Sequence, residues 1–203
     1  MCASLDGIAD MMCGASDDTE LHYSILYDPT AKAATVVNDP NGWMLEFDVV
    51  PQLMDLADSV RKVTMDCAAP SSCASMFKNF VNLEEIVFTD KWTTKDTTSM
   101  AYMFSGCSKL RRVDCGNWDV RYVRSYRRMF FGCSSLETLS LEGWQVKPDA
   151  DMLDCFSSCT YLRTIGNVKW TLNKIQCNTD AYDVFVDCDA LEQPAPAYFH
   201  LTW

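Results

Sequence analysis

The sequence is poor in the residues on which most catalytic and metal sites depend. Its 203 residues include only two histidines, His22 and His200, and no C-x-x-C pair. Zinc sites need closely spaced ligand pairs, and a nucleophilic cysteine needs a nearby base, usually histidine. With only eight glycines, the chain also has no glycine-rich phosphate loop. We therefore expect no enzyme activity, no bound metal and no cofactor.

Long apolar runs are absent as well, and bases are rare near the N-terminus. No stretch approaches the roughly 18 apolar residues of a membrane span, and residues 1–10 lack the basic start and apolar run of a signal peptide. The first 58 residues hold eleven acids against Lys32 alone, which accounts for −10 of the net charge of −11. This charge argues against direct nucleic-acid binding, although an acidic surface can also mimic nucleic acid.

What the sequence does contain is a strict repeat. Four tryptophans follow one another at 26-residue intervals: Trp92, Trp118, Trp144 and Trp170. A fixed period between about 20 and 50 residues is the signature of a solenoid, in which each structural unit stacks on the next. Such a scaffold generally binds other molecules on the surface that its units share.

Other apolar residues keep the same register as the tryptophans. The units begin at Met76, Met103, Met129, Cys155 and Val184, with phenylalanine second and leucine eighth in every unit. The eleventh position is Ile86, Val113, Leu139 and Ile165, and the thirteenth is Phe88, Cys115 and Leu141. The resulting L-x-x-L-x-L spacing is that of a leucine-rich repeat. A degenerate earlier unit would begin at Leu53 and place Val60, Val63 and Met65 at the same three positions.

The pattern within a unit predicts its local structure. The eleventh and thirteenth residues alternate with exposed neighbours, as in a half-buried strand. The segment before the strand, such as Ser99–Phe104, has helical apolar spacing and ends at Gly106, which suits a left-handed helix C-terminus. We therefore predict an α/β repeat, a solenoid of about five 26-residue coils with a parallel strand ladder and short helices.

One unit carries all of these positions and resembles a known family. It reads Met103-Phe-Ser-Gly-Cys-Ser-Lys-Leu-Arg-Arg-Val-Asp-Cys-Gly-Asn-Trp-Asp-Val120. It closely resembles the repeat of the BspA-type leucine-rich repeat surface proteins, and the resemblance extends over about residues 53–192. The resemblance implies a non-catalytic module for adhesion or protein–protein binding, at the cell surface or secreted.

A second function stays open beside the first. The alternative is a small acidic intracellular inhibitor or effector that blocks a partner protein, for instance by mimicry of nucleic acid. The many thiols favour this alternative, because they favour a reducing compartment such as the cytoplasm. In either case we expect a protein partner, and the sequence does not fix the oligomeric state.

Three regions differ in composition and are predicted to form separate units: an acidic N-terminal cap (residues 1–52), the solenoid (53–192) and a C-terminal tail (193–203). Within the cap, residues 21–37 read as a hairpin around Asp28-Pro29, and Trp43, Leu45 and Phe47 alternate like a strand. Both elements would cover the first coil, which otherwise exposes apolar surface.

The repeated cysteines Cys107, Cys133, Cys159 and Cys188 occupy one position in successive units. Stacking sets their Cα atoms near a distance that a disulfide tolerates. The odd total of eleven and the regular position nevertheless favour small, buried, reduced side chains.

Two sets of exposed residues are candidate binding sites. The outward side chains of adjacent strands should form one continuous surface, which would include Lys62, Glu85, Arg112, Asp114 and Thr138. Six of the eight arginines also fall close together with two interleaved tyrosines, a cluster that comprises Arg111, Arg112, Arg121, Tyr122, Arg124, Tyr126, Arg127 and Arg128. Arginine and tyrosine are enriched at binding hot spots. The alternative for this cluster is a solvated edge that balances acids on neighbouring coils.

Overall fold

A computed structural model of the chain describes residues 22–39, 44–141, 143–166, 170–173, 184–192 and 199–202. Within these ranges the elements follow in the order β1 (His22–Asp28), β2 (Ala33–Asn38), β3 (Met44–Leu45), α1 (Glu46–Met54), β4 (Lys62–Asp66), β5 (Glu85–Phe88), β6 (Arg112–Asp114), β7 (Thr138–Ser140), β8 (Trp170–Asn173) and β9 (Phe199–Thr202). Strands β8 and β9 pair in parallel, so the predicted tail contributes a strand.

The predicted hairpin near the N-terminus is confirmed. Strands β1 and β2 pair antiparallel, from Tyr23 opposite Asn38 to Asp28 opposite Ala33. Asp28 stabilises the turn, because its Oδ1 atom accepts hydrogen bonds from the backbone N–H groups of Thr30 at 2.8 Å and Ala31 at 3.1 Å. An aspartate that bonds the backbone in this way favours a turn over a continued strand.

The hairpin extends the strand ladder of the solenoid. Strand β2 pairs in parallel with β4, and β4 pairs in parallel with β5, while β1 and β3 lie beyond β2 in the same sheet. The backbone edge of β4 is thus covered rather than left open for unwanted pairing.

The predicted strand around residues 43–47 is only partly correct. Strand β3 covers Met44–Leu45, and the chain then enters α1 at Glu46, so Phe47 is helical; Trp43 lies outside the described residues. Helix α1 runs to Met54 and therefore crosses the boundary that we predicted between residues 52 and 53. The alternation that suggested a strand was too short to outweigh the buried face of this helix, on which Val49 and Leu53 are fully buried.

The downstream repeats stack as parallel coils. Strand β6 pairs with β7, and Thr138 bridges to Thr164 in the next coil. A second ladder runs through Ser72, Ser99, Ser125 and Asp151, which bridge one another in parallel. The described residues thus form a parallel β-solenoid of about four turns, and the predicted solenoid is confirmed at this level.

The core follows the register read from the sequence. Among the eighth-position leucines, Leu83, Leu110, Leu136 and Leu162 are fully buried, and Leu191 is partly buried. The second-position rings of successive units stack along the axis with centroids 5.3–5.7 Å apart: Phe77, Phe104, Phe130, Phe156 and Phe185. Val60, Val63 and Met65 are also fully buried, as the degenerate first unit requires. Burial of each large apolar side chain is worth roughly 1.5–3 kcal/mol.

The short helices predicted within the coils are wrong: these segments are successive turns. In the coil that contains Phe77, the backbone N–H groups alternate between two kinds of acceptor. Phe77 N–H donates to Met103 O of the next coil at 2.8 Å, whereas Phe80 N–H donates to Phe77 O within its own turn at 3.2 Å. In an α-helix all of these N–H groups would bond to carbonyls of the helix itself. None of them would then be available for the hydrogen bonds that join one coil to the next. A helix and this series of turns bury residues at the same spacing, and for this reason the sequence pattern predicted a helix.

The turns require left-handed backbone at regular positions. Gly106 and Gly132 have φ values of +79° and +69°, so the left-handed conformation predicted at these glycines is confirmed. The equivalent positions in other coils are occupied by Asn79, Ser158 and Asp187 with φ values of 57–62°. Asparagine and aspartate tolerate this region better than most residues, though less well than glycine.

The repeated cysteines are free thiols that pack in a column. Each Sγ–H group donates to a carbonyl of the preceding coil: Cys107 to Phe77 O at 3.0 Å, Cys133 to Phe104 O at 3.1 Å, Cys159 to Phe130 O at 3.0 Å and Cys188 to Phe156 O at 2.9 Å. Burial raises the pKa of the Cys107 thiol to about 12 and that of Cys188 to about 11. This arrangement agrees with the reduced packing predicted from the sequence.

Candidate functional site

The exposed residues of the strand ladder come together as predicted. Lys62 lies opposite Glu85, Thr64 opposite Val87, Arg112 opposite Thr138 and Asp114 opposite Ser140. We call this surface the strand face; it comprises Lys62, Thr64, Glu85, Val87, Arg112, Asp114, Thr138, Ser140 and Thr164. Its position is a consequence of strand geometry, because alternate side chains must leave the core.

Charges at one end of the strand face are already paired with each other. Lys62 Nζ lies 3.0 Å from Glu85 Oε1, and Arg61 Nη1 lies 3.3 Å from Glu84 Oε1. All four side chains are about half exposed, so each pair contributes at most about 1 kcal/mol. The charged residues of β6, by contrast, form no ion pair with any described residue. Arg112 and Asp114 are both exposed, and Asp114 Oδ1 accepts a hydrogen bond from the N–H of Gly116 at 3.1 Å.

The strand ladder is interrupted in the middle of this face. Strand β5 pairs with β4 and β6 pairs with β7, but β5 and β6 belong to different sheets. Phe88, at the thirteenth position, is larger than Cys115 and Leu141 at the same place in the next two coils. Its ring packs between Trp92 and Trp118, with centroids at 4.8 and 4.9 Å.

Three hollows lie around β6, and Asp114 lines all of them. The upstream groove, of about 600 Å³, is lined by Glu84, Glu85, Ile86, Arg111, Arg112 and Asp114. A second, of about 410 Å³, lies over β6 and β7 and reaches Thr164 and Gly166. The tryptophan hollow, of about 350 Å³, is lined by Phe88, Thr89, Asp90, Trp92, Asp114, Asn117 and Trp118. Arg112 lines two of the three, so β6 supplies the charged centre of the strand face.

The arginine cluster does not form a single patch. Arg111 and Arg112 belong to the strand ladder, where Arg111 O accepts the N–H of Glu137. Arg124 and Arg127 belong to the second ladder, where their carbonyls accept the N–H groups of Asp151 and Tyr102. Proximity along the chain therefore did not predict proximity on the surface, because a coil carries its residues around the solenoid axis.

Three of the arginines are paired with aspartates. Arg128 Nη2 lies 2.9 Å and Arg127 Nη1 lies 3.6 Å from aspartates one coil further on, Asp154 and Asp151. Arg121 Nη2 lies 2.7 Å from Asp119 Oδ2 in its own coil, and this hydrogen bond lowers the pKa of Asp119 and raises that of Arg121. Arg127 and Arg128 thus match the alternative expectation that the cluster balances acids on neighbouring coils, whereas Arg121 is paired within its own coil.

Tyr126, a predicted binding residue, is a core residue instead. It is fully buried, its ring lies 5.6 Å from that of Trp144, and its hydroxyl donates to Val120 O at 3.4 Å. Burial raises its pKa. Its equivalents Met100 and Met152 are also buried, and this apolar column was a signal that the sequence offered. Tyr122, by contrast, is 57% exposed and stays a candidate contact.

The tryptophan hollow was not predicted. The tryptophans were treated only as repeat markers, and Asp90 and Asn117 were not singled out. The available signal was Phe88, which departs in size from the other thirteenth-position residues.

Metal-ligand clusters and ionised thiols are the reactive groups that the described residues lack. None of their histidine, cysteine and acidic side chains forms a group of three that could hold a metal ion. Burial raises the pKa of seven of the described cysteine thiols, and it does so well above the ordinary value for Cys115, Cys133 and Cys155. A raised pKa suppresses the thiolate needed for nucleophilic attack. In the described part of the chain, no helix has the length and apolar character that crossing a membrane requires.

The fold and the strand face define a repeat protein whose stacked coils present one continuous surface. Residues 71–198, more than half of the chain, match the family described as "Mycoplasma protein of unknown function, DUF285". The chain belongs to this family. No curated protein and no solved structure matches the chain.

Proposed function

We propose that the chain is a non-catalytic protein-binding module that recognises its partner with the strand face. The observation that carries the proposal is the centre of that face, where Arg112 and Asp114 are exposed and line adjacent hollows, with no ion-pair partner in the part of the chain that the structure describes. Unpaired charges of both signs on a rigid surface select a partner of complementary charge and raise its association rate. Side chains on strands are also held more precisely than side chains on loops.

We further propose that the repeats are leucine-rich repeats of the BspA type and number about five. Support comes from the unit at Val184, whose carbonyl accepts Phe156 N–H at 2.9 Å and so stacks as a further coil. Such a module would act in adhesion at the cell surface or as a secreted protein.

A second candidate function is a cytoplasmic inhibitor or effector that occupies the site of a partner protein. It is favoured by the eight described cysteines, all of which are free thiols, because free thiols persist best in a reducing compartment. The two functions share the binding surface and differ in where the partner is found.

The proposal is tested by capture of partners from the source cells on the immobilised chain, followed by mass spectrometry. Wild type is compared with the strand-face variant Arg112→Glu/Thr138→Glu. The matched control is Arg124→Glu, which alters an exposed, unpaired arginine of the same coil on the second ladder. We expect the strand-face variant to lose the captured protein and the control to keep it. Equal capture by all three proteins would contradict a role for the strand face.

A further inference from the structure

The tryptophan hollow combines an aromatic wall with unpaired carboxylates. Phe88 is half-buried, and Trp92 and Trp118 expose 8% and 7% of their surface. Asp90 and Asp114 are exposed and form no ion pair with another described residue, while Asn117 adds an amide. Among the described residues that line the hollow there is no base. The hollow therefore carries two negative charges that nothing in its own wall balances.

The electrostatic surroundings make this hollow different from the rest of the strand face. In the upstream groove, Arg111 and Arg112 stand beside Glu84 and Glu85. Asp66, on the coil before the hollow, is already neutralised by Lys91, whose Nζ lies 2.6 Å from its carboxylate and lowers its pKa. Of the two carboxylates in the tryptophan hollow, Asp90 lines this hollow alone, whereas Asp114 is shared with the upstream groove and Arg112.

The wall also contains an unsatisfied hydrogen-bond donor. Trp144 Nε1–H donates to Cys115 O of the preceding coil at 2.9 Å. Trp92 Nε1–H is buried and has no partner among the described residues. The carbonyl at the equivalent place, Met65 O, already accepts the N–H and the hydroxyl of Thr89. The indole of Trp92 is therefore less completely satisfied than that of Trp144, two coils later. Because an indole N–H is a donor and attracts an acceptor, the attraction for a cation in this hollow comes from the carboxylates and the aromatic faces alone.

We propose that the tryptophan hollow binds a cationic side chain, lysine or arginine, of the partner protein. The volume of about 350 Å³ falls in the range of small-ligand sites, roughly 300–1,000 Å³. The alkyl stem packs against Phe88 and the indoles, as long basic side chains do on apolar surfaces. The charged head meets Asp90 and Asp114, and nearby aromatic faces attract it further. This inference rests on the proposed protein-binding function and names the chemistry that the partner presents.

The test uses single-residue probes and the intact chain. The probes are N-acetyl-arginine methylamide, N-acetyl-lysine methylamide and the neutral isostere N-acetyl-citrulline methylamide. Binding is followed by the NMR signals of the assigned indole N–H groups of Trp92 and Trp118. We expect a saturable shift with at least one cationic probe and none with citrulline; the two cationic probes distinguish arginine from lysine.

The matched variants are Asp90→Asn/Asp114→Asn in the hollow and Asp58→Asn/Asp149→Asn at exposed acids elsewhere. Asparagine keeps the acceptor that bonds Gly116, so the hollow variant retains its fold. We expect the hollow variant to bind the cationic probe about tenfold more weakly, the effect of removing two exposed charge pairs, and the control to bind like wild type. Equal binding of citrulline, equal weakening in both variants, or no shift with any probe would overturn the proposal.

The outcome separates this proposal from the function on which it rests. Partner capture could depend on Arg112 and Thr138 while the cationic probes leave the indole N–H signals unshifted. In that case the strand face binds proteins, and only the proposal that the hollow binds a cationic side chain is wrong. If the probes bind as expected but capture is unaffected by the strand-face variant, the hollow recognises cations and the proposed use of the strand face is wrong.

Discussion

At the scale of single residues, stacking imposes backbone conformations that the sequence meets unevenly. Two positions of the turn segment are left-handed in successive coils. One is filled by Ser75, Tyr102, Arg128 and Asp154; the other is filled by Asn79, Gly106, Gly132, Ser158 and Asp187. For a residue with a Cβ atom this conformation costs roughly 1–2 kcal/mol. The coils therefore carry local strain that the inter-coil hydrogen bonds and the packed core must offset.

The two glycines should differ in their tolerance of a methyl group. A Cβ atom on Gly106 would lie 2.6 Å from Asn79 Oδ1, whereas one on Gly132 would find its nearest neighbour at 3.9 Å. We expect Gly132→Ala to cost about 1–2 kcal/mol from backbone conformation alone, and Gly106→Ala to cost more. Urea denaturation measures both free energies of unfolding.

Asn79→Gly supplies the control, because it removes the clashing side chain and suits the left-handed φ of 62° at that position. In the Asn79→Gly background, alanine at residue 106 should cost no more than alanine at residue 132. A difference that persists would show that the clash is not its cause.

The tryptophans should also respond unequally to loss of their indole nitrogen. Trp144→Phe removes a hydrogen bond of 2.9 Å to Cys115 O, whereas Trp92→Phe removes a buried donor without a described partner. A net hydrogen bond is worth about 1 kcal/mol, and an unsatisfied buried donor costs about 1–3 kcal/mol. We therefore expect Trp144→Phe to be more destabilising than Trp92→Phe by about 2 kcal/mol. Equal losses in thermal and urea denaturation would indicate that Trp92 Nε1–H is satisfied in solution.

At the scale of the elements, the sequence predicted which residues face the core but not the path of the chain between them. The 26-residue interval and the invariant leucines assign Leu110 and Val113 to the interior, and both are buried there. The turn segment was mistaken for a helix because turns and helices can bury the same spacing. The turn segment differs from a helix in its backbone hydrogen bonds, because its N–H groups donate in turn to the neighbouring coil and to their own turn. The types of the side chains do not show which carbonyl accepts each of these hydrogen bonds.

The register itself is tested by a pair of neighbouring positions. Leu136 is fully buried and Thr138 is exposed on β7. Truncation of a core leucine costs about 2–5 kcal/mol, while a surface substitution usually stays within about 0.5 kcal/mol. We expect Leu136→Ala to lower the free energy of unfolding sharply and Thr138→Ala to leave it almost unchanged. Similar effects of the two substitutions would contradict the register, in which Leu136 lies in the core and Thr138 on the exposed face.

At the scale of the whole molecule, the candidate site was only partly predictable. Arg112 and Thr138 were placed together correctly, since strand alternation and the repeat period fix both their face and their neighbours. The arginine cluster was not, because Arg112 and Arg124 belong to different ladders despite lying twelve residues apart in sequence. The tryptophan hollow lies between Phe88 of β5 and Asp114 of β6, two strands that do not pair, and a repeat period does not predict which neighbouring strands fail to pair.

The column of buried thiols should make the stability of the whole solenoid sensitive to alkaline pH. Burial raises the pKa of Cys107 from 9.0 to about 12, so between these values the thiol is ionised in the unfolded chain but protonated in the folded one. Its contribution to stability is fully present below pH 9 and is lost as the pH rises towards 12. At pH 10 the loss is about 1.4 kcal/mol for a single such thiol.

Lysine and tyrosine side chains also titrate in this range, so the measurement compares wild type with Cys107→Ala. The free energy of unfolding from urea titrations at pH 7 and pH 10, under reducing conditions, gives the pH-dependent loss for each protein. Cys107→Ala should be less stable than wild type at pH 7, because it leaves a small cavity. It should nevertheless lose about 1.4 kcal/mol less than wild type between the two pH values. If both proteins lose the same amount, Cys107 ionises as readily in the folded chain as in the unfolded one, and the thiol column is open to solvent rather than packed in the core.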